Sequence, residues 1–302
     1  MRTTRVAAVV ALALLAAMLA VGVAWAAPGD ADPTFDASAE LRKAVAERRL
    51  DVVYQPIVQT STGRIAGFEA LCRWADGGGF VEPSDFVPIA EETGLIVPLG
   101  DWVLRAACAQ LAAWRALPHG AGLTVSVNIS HRQLAEPAFG QMLARTLEQT
   151  RADPGALRLE VKDRDLSREP DAVVGALSHA LEEHGVLARI DDFGTGASSL
   201  RLLHGFPGDA VKIHRALVIG MGRDAGATEI VKAIVGLAHN LGLEVIAEGV
   251  ESAAQLERLK LLGCNFAQGF HISAPLSPTD ATALVVGRRP RGTAPFAPGP
   301  NQ

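Results

Sequence analysis

Aromatic residues are scarce in this sequence, at 5%, and only one of its 302 residues is a tyrosine. Proteins that bind single-stranded nucleic acid by stacking its bases need several aromatic platforms. Basic charge is also in short supply, because 28 lysines and arginines stand against 33 acidic residues, giving a net charge of -5. A chain without a basic excess is poorly suited to binding a phosphate backbone. We therefore expect neither DNA nor RNA as a partner.

Cysteine is scarcer still, with three residues in the chain: Cys72, Cys108 and Cys264. Their spacing matches no zinc-binding pattern, and each lies in an apolar stretch. An odd number without a regular framework predicts buried free thiols rather than disulfides.

Long uncharged apolar runs are rare too, but one is present near the start, from Val6 to Ala27, after Arg2 and Arg5. It is long enough to cross a bilayer, and its Ala24-Trp25-Ala26 end resembles an export cleavage site. Residues 1–27 are thus predicted to contact the membrane as an anchor or to act as a cleaved signal. There are two alternatives: the start codon is misassigned, or this segment is the last helix of a larger sensor. The preceding arginines favour export of the domain that follows.

The rest of the chain alternates between short apolar runs and amphipathic stretches, which is typical of an α/β protein. The predicted strands are Val52–Ile57, Ile65–Trp74, Thr124–Ile129, Leu157–Val161, Val186–Asp191, Ala210–Ile213, Glu244–Ala247 and Asn265–Gln268. The predicted helices are Ala39–Arg48, Leu99–Leu117, His131–Thr150, Asp171–His184, one near Ser198, Ala227–Leu241, Ala253–Leu262 and Pro278–Val286. A loop with Pro83 and Pro88 is predicted to lead into the second of them. Eight strands with helices between them in roughly 250 residues predict one (β/α)8 barrel.

The connection between the first two strands departs from an ideal barrel. It consists only of Val58–Arg64, which is too short for a helical crossover, so these strands should be antiparallel. The fold class is therefore a modified TIM (β/α)8 barrel over residues 39–287. Residues 28–38 are predicted to be a linker, and residues 288–302, rich in proline and glycine, a disordered tail.

Polar residues, most of them carboxylates, recur at the ends of the predicted strands: Glu69, Asn128, Glu160, Asp191, Asp192, Lys212, Glu248 and Gln268. In a barrel, the carboxyl ends of the strands meet at one mouth. Any one of these acids alone would more often be an ordinary surface residue. Carboxylates gathered at one place repel one another, so the set predicts a cage for a divalent cation.

These residues belong to short motifs that resemble a known family. In chain order the motifs are YQPI (Tyr54–Ile57), EAL (Glu69–Leu71), EETGLIVPLG (Glu91–Gly100), VNIS (Val127–Ser130), DDFGTG (Asp191–Gly196), AEGVE (Ala247–Glu251) and QGF (Gln268–Phe270). From about residue 40 to residue 286 the sequence resembles the EAL domains, phosphodiesterases that open cyclic di-GMP to linear pGpG. Such an order of motifs is far more specific than the three letters alone.

The resemblance implies two bound Mg²⁺ or Mn²⁺ ions. The ligands of the first would be Glu69, Asn128, Glu160 and Asp191. The ligands of the second would be Asp191, Asp192 and Glu248, with Asp191 bridging. Oxygen ligands suit both metals, and such a pair activates a water that attacks phosphorus in line while the 3′ oxygen leaves.

The resemblance also implies the catalytic side chains beside the metals, which would be Lys212, Glu248 and Gln268. Lys212 would steer or deprotonate the water, or offset charge in the transition state. Gln268 would orient the water or the ligand.

Further roles follow from the same resemblance. The substrate would contact Gln55, Leu71 and Arg73, with Arg73 pairing with a phosphate. The DDFGTG loop would be supported by Asp163, Glu251, Gly194 and Gly196, although Asp163 is one methylene shorter than the glutamate usual there. A homodimer is implied as well.

Three further positions depart from the family pattern. Lys162 replaces a threonine two residues after Glu160 and should share its face of the strand, so it is expected to pair with Glu160 and compete with the metal. His214 replaces an aspartate two residues after Lys212. Together these changes make the predicted pocket less acidic and should weaken metal binding. Ala197 replaces a tyrosine, which predicts a less rigid loop.

Three functions stay open on the sequence alone. The first is a metal-dependent cyclic di-GMP phosphodiesterase whose activity is impaired by the departures. The second is a degenerate module that binds cyclic di-GMP or a protein partner without turnover. The third is an exported hydrolase that acts on another phosphodiester through the same cage.

Overall fold

The computed structural model describes residues 37–47, 49–76, 79–168, 170–194, 203 and 206–288. Several predictions fall outside this part of the chain: the apolar segment 1–27, most of the linker, the helix near Ser198, Gly196, Ala197 and almost all of the tail. None of the helices in the described part combines the length and the apolarity that a membrane crossing requires.

Within the described residues, nine strands form one sheet. They are β1 (Leu50–Gln59), β2 (Ile65–Asp76), β3 (Gly79–Val81), β4 (Thr124–Asn128), β5 (Leu157–Lys162), β6 (Leu187–Phe193), β7 (Ala210–Ile213), β8 (Glu244–Ala247) and β9 (Phe266–Ala267). Their order is β1-β9-β8-β7-β6-β5-β4-β2-β3, and pairing of β1 with β2 closes eight of them into a barrel. β1 is antiparallel to both β2 and β9, whereas the other barrel neighbours are parallel. The predicted modified TIM barrel is confirmed.

Helices cover the outside of the barrel. In the described ranges they are α1 (Ala37–Glu47), α2 (Pro83–Thr93), α3 (Ile96–Arg115), α4 (His131–Leu134), α5 (Phe139–Thr150), α6 (Asp163–Arg168), α7 (Pro170–His184), α8 (Arg215–Gly220), α9 (Ala225–Asn240), α10 (Ala253–Leu261) and α11 (Pro278–Val285). Apolar side chains from the strands and from the inner helix faces form the main core.

Two predictions about helices were wrong. The segment with Pro83 and Pro88 was expected to be a loop but forms α2, because Pro83 is the first helical residue, where its missing N–H costs nothing. Phe86 on this helix is completely buried and anchors it to the barrel. The single helix expected over His131–Thr150 is instead divided into α4 and α5, and Pro137 lies in the break between them.

The amino ends of the strands are closed by a polar cluster. Arg158 on β5 and Arg189 on β6 both bind the carboxylate of Asp209, and Arg189 Nη1 also donates a hydrogen bond to Ser126 Oγ at 3.0 Å. These four side chains satisfy one another at the base of the barrel. The opposite, carboxyl end opens into a cavity.

Candidate metal and substrate site

The predicted ring of acids comes together at the carboxyl end of the barrel, with Lys212 at its centre. The Nζ atom of Lys212 lies 2.6 Å from Glu248 Oε1, 2.7 Å from Glu160 Oε2, 3.1 Å from Glu69 Oε2 and 3.3 Å from Asp191 Oδ1. The side chains of Lys212 and Glu160 are completely buried. One ammonium group thus neutralises part of the charge of four carboxylates that come from four different strands or strand ends.

Strand register explains how these side chains meet. Asn128 on β4 is aligned with Glu160 on β5, and Lys162 on β5 is aligned with Asp191 on β6. Residues aligned on neighbouring strands, or two apart on one strand, point to the same side of the sheet. Glu69 lies in the middle of β2 rather than at its end, because β2 continues beyond the barrel to pair with β3.

A local irregularity allows Asp191 and Asp192 to reach the same site, although adjacent strand residues normally point to opposite faces. The pairing of β6 with β7 shifts register between Ile190 and Phe193, and Asp192 has a φ of 59°. Such bulges re-aim side chains and are common next to active sites. Carboxylate oxygens of Asp191, Asp192 and Glu248 consequently lie within 4.8 Å of one another.

Amide side chains hold the ring in position from the outside. Asn128 Nδ2 donates to Glu69 Oε1 at 2.8 Å, and Gln268 Nε2 donates to Glu69 Oε2 at 2.7 Å. Gln268 also donates to Gln55 Oε1 at 2.9 Å, while Gln55 Nε2 donates to the backbone carbonyl of Ser273. Gln55, which the resemblance assigns to the substrate, therefore also fixes the orientation of Gln268.

The residues present fit a divalent cation. Glu160 Oε1 and Asp191 Oδ1 are buried carboxylate oxygens without a hydrogen-bond partner, although Asp191 Oδ1 lies within ion-pair distance of Lys212. Buried oxygens of this kind are costly unless a further ligand satisfies them. Together with Asp192 and Glu248 they form an all-oxygen donor set, which Mg²⁺ and Mn²⁺ prefer.

Burial and charge shift the pKa values of the central groups. Burial raises the pKa of Glu160 to about 7, against the lowering effect of Lys212 and with the help of Glu69 and Asp191. Burial alone would lower the pKa of Lys212, but Asp191, Glu160, Glu248 and Glu69 together hold it well above its usual value. Lys212 thus keeps its proton at neutral pH in the metal-free site, which suits the predicted role in offsetting charge. Its roles in steering or deprotonating water stay predictions.

We expect divalent-metal binding to weaken as the pH falls below about 7, because the pKa of Glu160 is raised to that value. A carboxyl group must lose its proton to bind metal, so the ion that binds Glu160 displaces the proton that this residue holds at lower pH. Affinity should drop about tenfold per pH unit well below this pKa. Calorimetric titration with Mn²⁺ between pH 5.5 and 8.5 measures this. Glu160→Gln should bind more weakly and show a shallower dependence, and Glu248 should supply the remainder because burial also raises the pKa of that carboxyl well above its usual value. A flat profile for the wild type would contradict the prediction.

The predicted pairing of Lys162 with Glu160 was wrong. Lys162 Nζ lies 3.6 Å from Asp192 Oδ2, because Lys212 already occupies the space beside Glu160. His214 Nε2 lies 3.7 Å from the other Asp192 oxygen. The His214 side chain caps the start of α8, because its Nδ1 accepts a hydrogen bond from the backbone N–H of Ala216. The departures at Lys162 and His214 therefore both contact one carboxylate, that of Asp192.

The cavity above the acids has a volume of about 450 Å³. It is lined by all three residues predicted to bind substrate, Gln55, Leu71 and Arg73. Its apolar wall is formed by α2 and α3, with Phe86 and Leu99. The guanidinium of Arg73 donates to the carbonyl of Cys72 at 2.8 Å. Arg215, which sequence reasoning missed because a lone arginine at a helix start carries no signal, also lines this cavity.

The residues predicted to support the DDFGTG loop are only partly described. Asp163 is buried at the start of α6. Gly194 has a φ of 97°, a backbone conformation that favours glycine, and a Cβ there would displace the end of the Leu217 side chain, whose Cδ1 would lie 2.7 Å away. Glu251 is exposed, and the loop that it would brace, with Gly196, lies beyond the described residues. Its role stays a prediction.

Known proteins have sequences similar to most of this chain. The EAL domain family model matches residues 38–275. A bifunctional diguanylate cyclase/cyclic di-GMP phosphodiesterase, MucR from Pseudomonas aeruginosa, is 40% identical over 247 residues, which is 82% of this chain and 36% of the relative. The cyclic di-GMP phosphodiesterase PdeR from Escherichia coli K12 is 39% identical over 237 residues, which is 78% of this chain and 35% of the relative. The chain spans about a third of the length of these relatives.

The fold of this chain is also similar to that of a solved structure. A solved structure of the MucR phosphodiesterase in complex with cyclic di-GMP superposes with a TM-score of 0.77 at 39% identity. The match covers 80% of this chain and 98% of that one. With the motifs, the barrel and the acid ring in agreement, the chain belongs to the EAL domain family of cyclic di-GMP phosphodiesterases.

Proposed function

We propose that this protein hydrolyses cyclic di-GMP to linear pGpG, with two Mg²⁺ or Mn²⁺ ions held by its acid ring. The observation that carries the proposal is Glu160 Oε1, a buried carboxylate oxygen without a hydrogen-bond partner, in the same ring as the Asp191, Asp192 and Glu248 carboxylates that line the cavity. Lys212 contacts the other oxygen of Glu160, so this buried oxygen is costly unless a further cation satisfies it. The similarity to relatives named as cyclic di-GMP phosphodiesterases supports the choice of substrate.

Several residues of the chain have separate roles in the proposed reaction. Bound divalent ions supply positive charge to the phosphodiester and lower the pKa of a water molecule. The Lys212 ammonium adds a fixed positive charge beside the same carboxylates and offsets negative charge in the transition state. Gln268, held by Gln55, orients water or ligand, and Arg73 pairs with a phosphate oxygen.

The shape of the cavity suits a nucleotide. Its floor is polar, whereas its wall on the α2 and α3 side is apolar, with Phe86, Val87 and Val103. A planar base buries its faces favourably against such a wall while the phosphate stays over the acids.

Hydrolysis assays with cyclic di-GMP test the proposal, with chromatographic detection of pGpG. Product should form with Mg²⁺ or Mn²⁺ and disappear with a chelator, and its absence under both metals would reject the activity.

A second candidate function is binding of cyclic di-GMP without turnover. The observation that favours it is the position of Lys162 and His214, which both face Asp192. A tethered ammonium on this carboxylate reduces its availability to the second metal ion. In that case the nucleotide would bind, but pGpG would not accumulate.

Replacing both residues, Lys162→Thr with His214→Asp, is expected to tighten metal binding about tenfold. The double change removes one positive charge and adds one negative charge beside Asp192, and aspartate can still cap α8. Calorimetric titration with Mg²⁺ measures the effect, and activity should rise most at limiting metal. Lys232→Thr, on the exposed face of α9, is the matched control. Equal affinities for wild type and double variant would mean that neither side chain limits the second ion.

Location and assembly are further proposals. We expect residues 1–27 to anchor or export the barrel, because an uncharged run follows two arginines. A reporter fused after Ala39 should be active only outside the cytoplasm, and cytoplasmic activity would contradict this.

A homodimer is proposed from the family resemblance, and light scattering of the purified protein measures it.

A further inference from the structure

Arg215 is a positively charged residue of the cavity with no role among the proposed catalytic, metal-binding or substrate-binding residues. It is the first residue of α8, three residues after Lys212, and it lines the cavity above the acids. Its guanidinium makes no hydrogen bond or ion pair with any of the described residues, although Asp192 and Glu251 line the same cavity. An arginine that borders an acidic cavity without pairing to its carboxylates is available to an anion from outside.

The stem of Arg215 is held in place by the loop after β8. Gly249 follows Glu248 directly and has a φ of 69°. A Cβ at this glycine would lie 2.5 Å from Arg215 Cβ, so only glycine lets the loop backbone approach this closely. The start of the Arg215 side chain is therefore fixed beside the acid ring, while its guanidinium stays exposed at the mouth.

Barrel topology sets Arg215 opposite Arg73. Arg73 belongs to β2, and Arg215 follows β7. In the closed order, β2 and β7 are separated by four steps in either direction, which is the greatest separation in a barrel of eight strands. The backbones of the two arginines thus lie on opposite sides of the barrel, and both residues line the cavity.

We propose that Arg215 binds the second phosphodiester of a cyclic dinucleotide while the first lies over the acid ring. This inference rests on the proposed function and makes Arg215 a determinant of substrate specificity. A cyclic dinucleotide carries two phosphodiester groups on opposite sides of its ring, so one phosphate over the acids leaves the other directed toward the rim. The planar fork of arginine matches two oxygens of such a group.

The test compares a substrate with two phosphodiesters and one with a single phosphodiester. Arg215→Ala should raise the KM for cyclic di-GMP about tenfold, the usual scale for one lost charge-assisted hydrogen bond, with little change in kcat. Hydrolysis of bis(p-nitrophenyl) phosphate should be unchanged, because it has no second phosphate. Arg215→Lys should recover part of the affinity. Arg223→Ala removes the same charge from an exposed position outside the cavity and should change neither substrate.

The possible outcomes separate this inference from the function on which it rests. A KM for cyclic di-GMP within twofold of wild type would overturn the role of Arg215 while leaving the phosphodiesterase activity intact. An equal loss on both substrates would also overturn it, because Arg215 would then act on the acid ring. If the wild type cleaves only the small diester, the proposed substrate fails, and the inference fails with it.

Discussion

Asp191→Ala is expected to abolish divalent-metal binding and to lower the hydrolysis of cyclic di-GMP by more than about a hundredfold. The loss should exceed the effect of removing residues that only orient metal ligands, which is typically 10- to 100-fold. Asp191 is proposed to bridge both ions, and one of its oxygens is buried without a hydrogen-bond partner. Glu69→Ala should behave similarly, because Glu69 is a proposed ligand of the first ion. Calorimetric titration with Mn²⁺ and an assay for pGpG measure both effects.

The fold should survive the loss of Asp191, because three other carboxylates still surround Lys212. Removing one of several crowded negative charges relieves repulsion, so the metal-free variant should unfold at the same temperature as wild type or a higher one. Glu182→Ala, an exposed acid on α7, is the control for a lost negative charge. Turnover by Asp191→Ala at the wild-type rate would exclude the two-ion proposal.

Lys212→Met is expected to destabilise the metal-free protein by about 3–5 kcal/mol at pH 8, the usual cost of removing one partner from a buried ion pair. Its ammonium lies within 3.3 Å of four carboxylates, which would be left facing one another. Added Mg²⁺ or Mn²⁺ should restore much of the stability, since a ligand that binds only the folded state stabilises it. Hydrolysis should remain low even with metal, because the fixed charge is missing.

Urea unfolding with a chelator and with Mn²⁺ measures this dependence on metal. Lys232→Met is the matched control, because Lys232 pairs with Glu229 at the surface with 64% of its side chain exposed. Such pairs contribute about 0–1 kcal/mol, so the control should barely change. If metal failed to stabilise Lys212→Met, the carboxylates would not form a cation site.

The architecture could be predicted from the sequence because it depends on local signals. Alternating apolar runs predicted the barrel, and the short connection Val58–Arg64 predicted that the first two strands are antiparallel, as observed. The convergence of the acids followed from one rule, that strand ends meet at one mouth. Helix α2 was missed because Pro83 was taken as a loop signal, whereas a proline is compatible with the first helical position.

The arrangement inside the site could not be predicted in the same way. Lys162 shares a strand face with Glu160, but pairs with Asp192 because Lys212, from a distant part of the sequence, fills the space beside Glu160. The approach of Asp192 to the site depends on a register shift between β6 and β7. Contacts of this kind depend on the packing of several strands and leave no periodic pattern in the chain.

Hydrolysis of cyclic di-GMP in H₂¹⁸O under multiple turnover distinguishes a phosphodiesterase from a binding module. We expect pGpG with one ¹⁸O atom in its 5′-phosphate, because water attacks phosphorus and the 3′ oxygen leaves, and no product when a chelator removes the metal. Recovery of intact cyclic di-GMP from protein that binds it in the presence of Mg²⁺ and Mn²⁺ would contradict hydrolysis and identify a binding module instead.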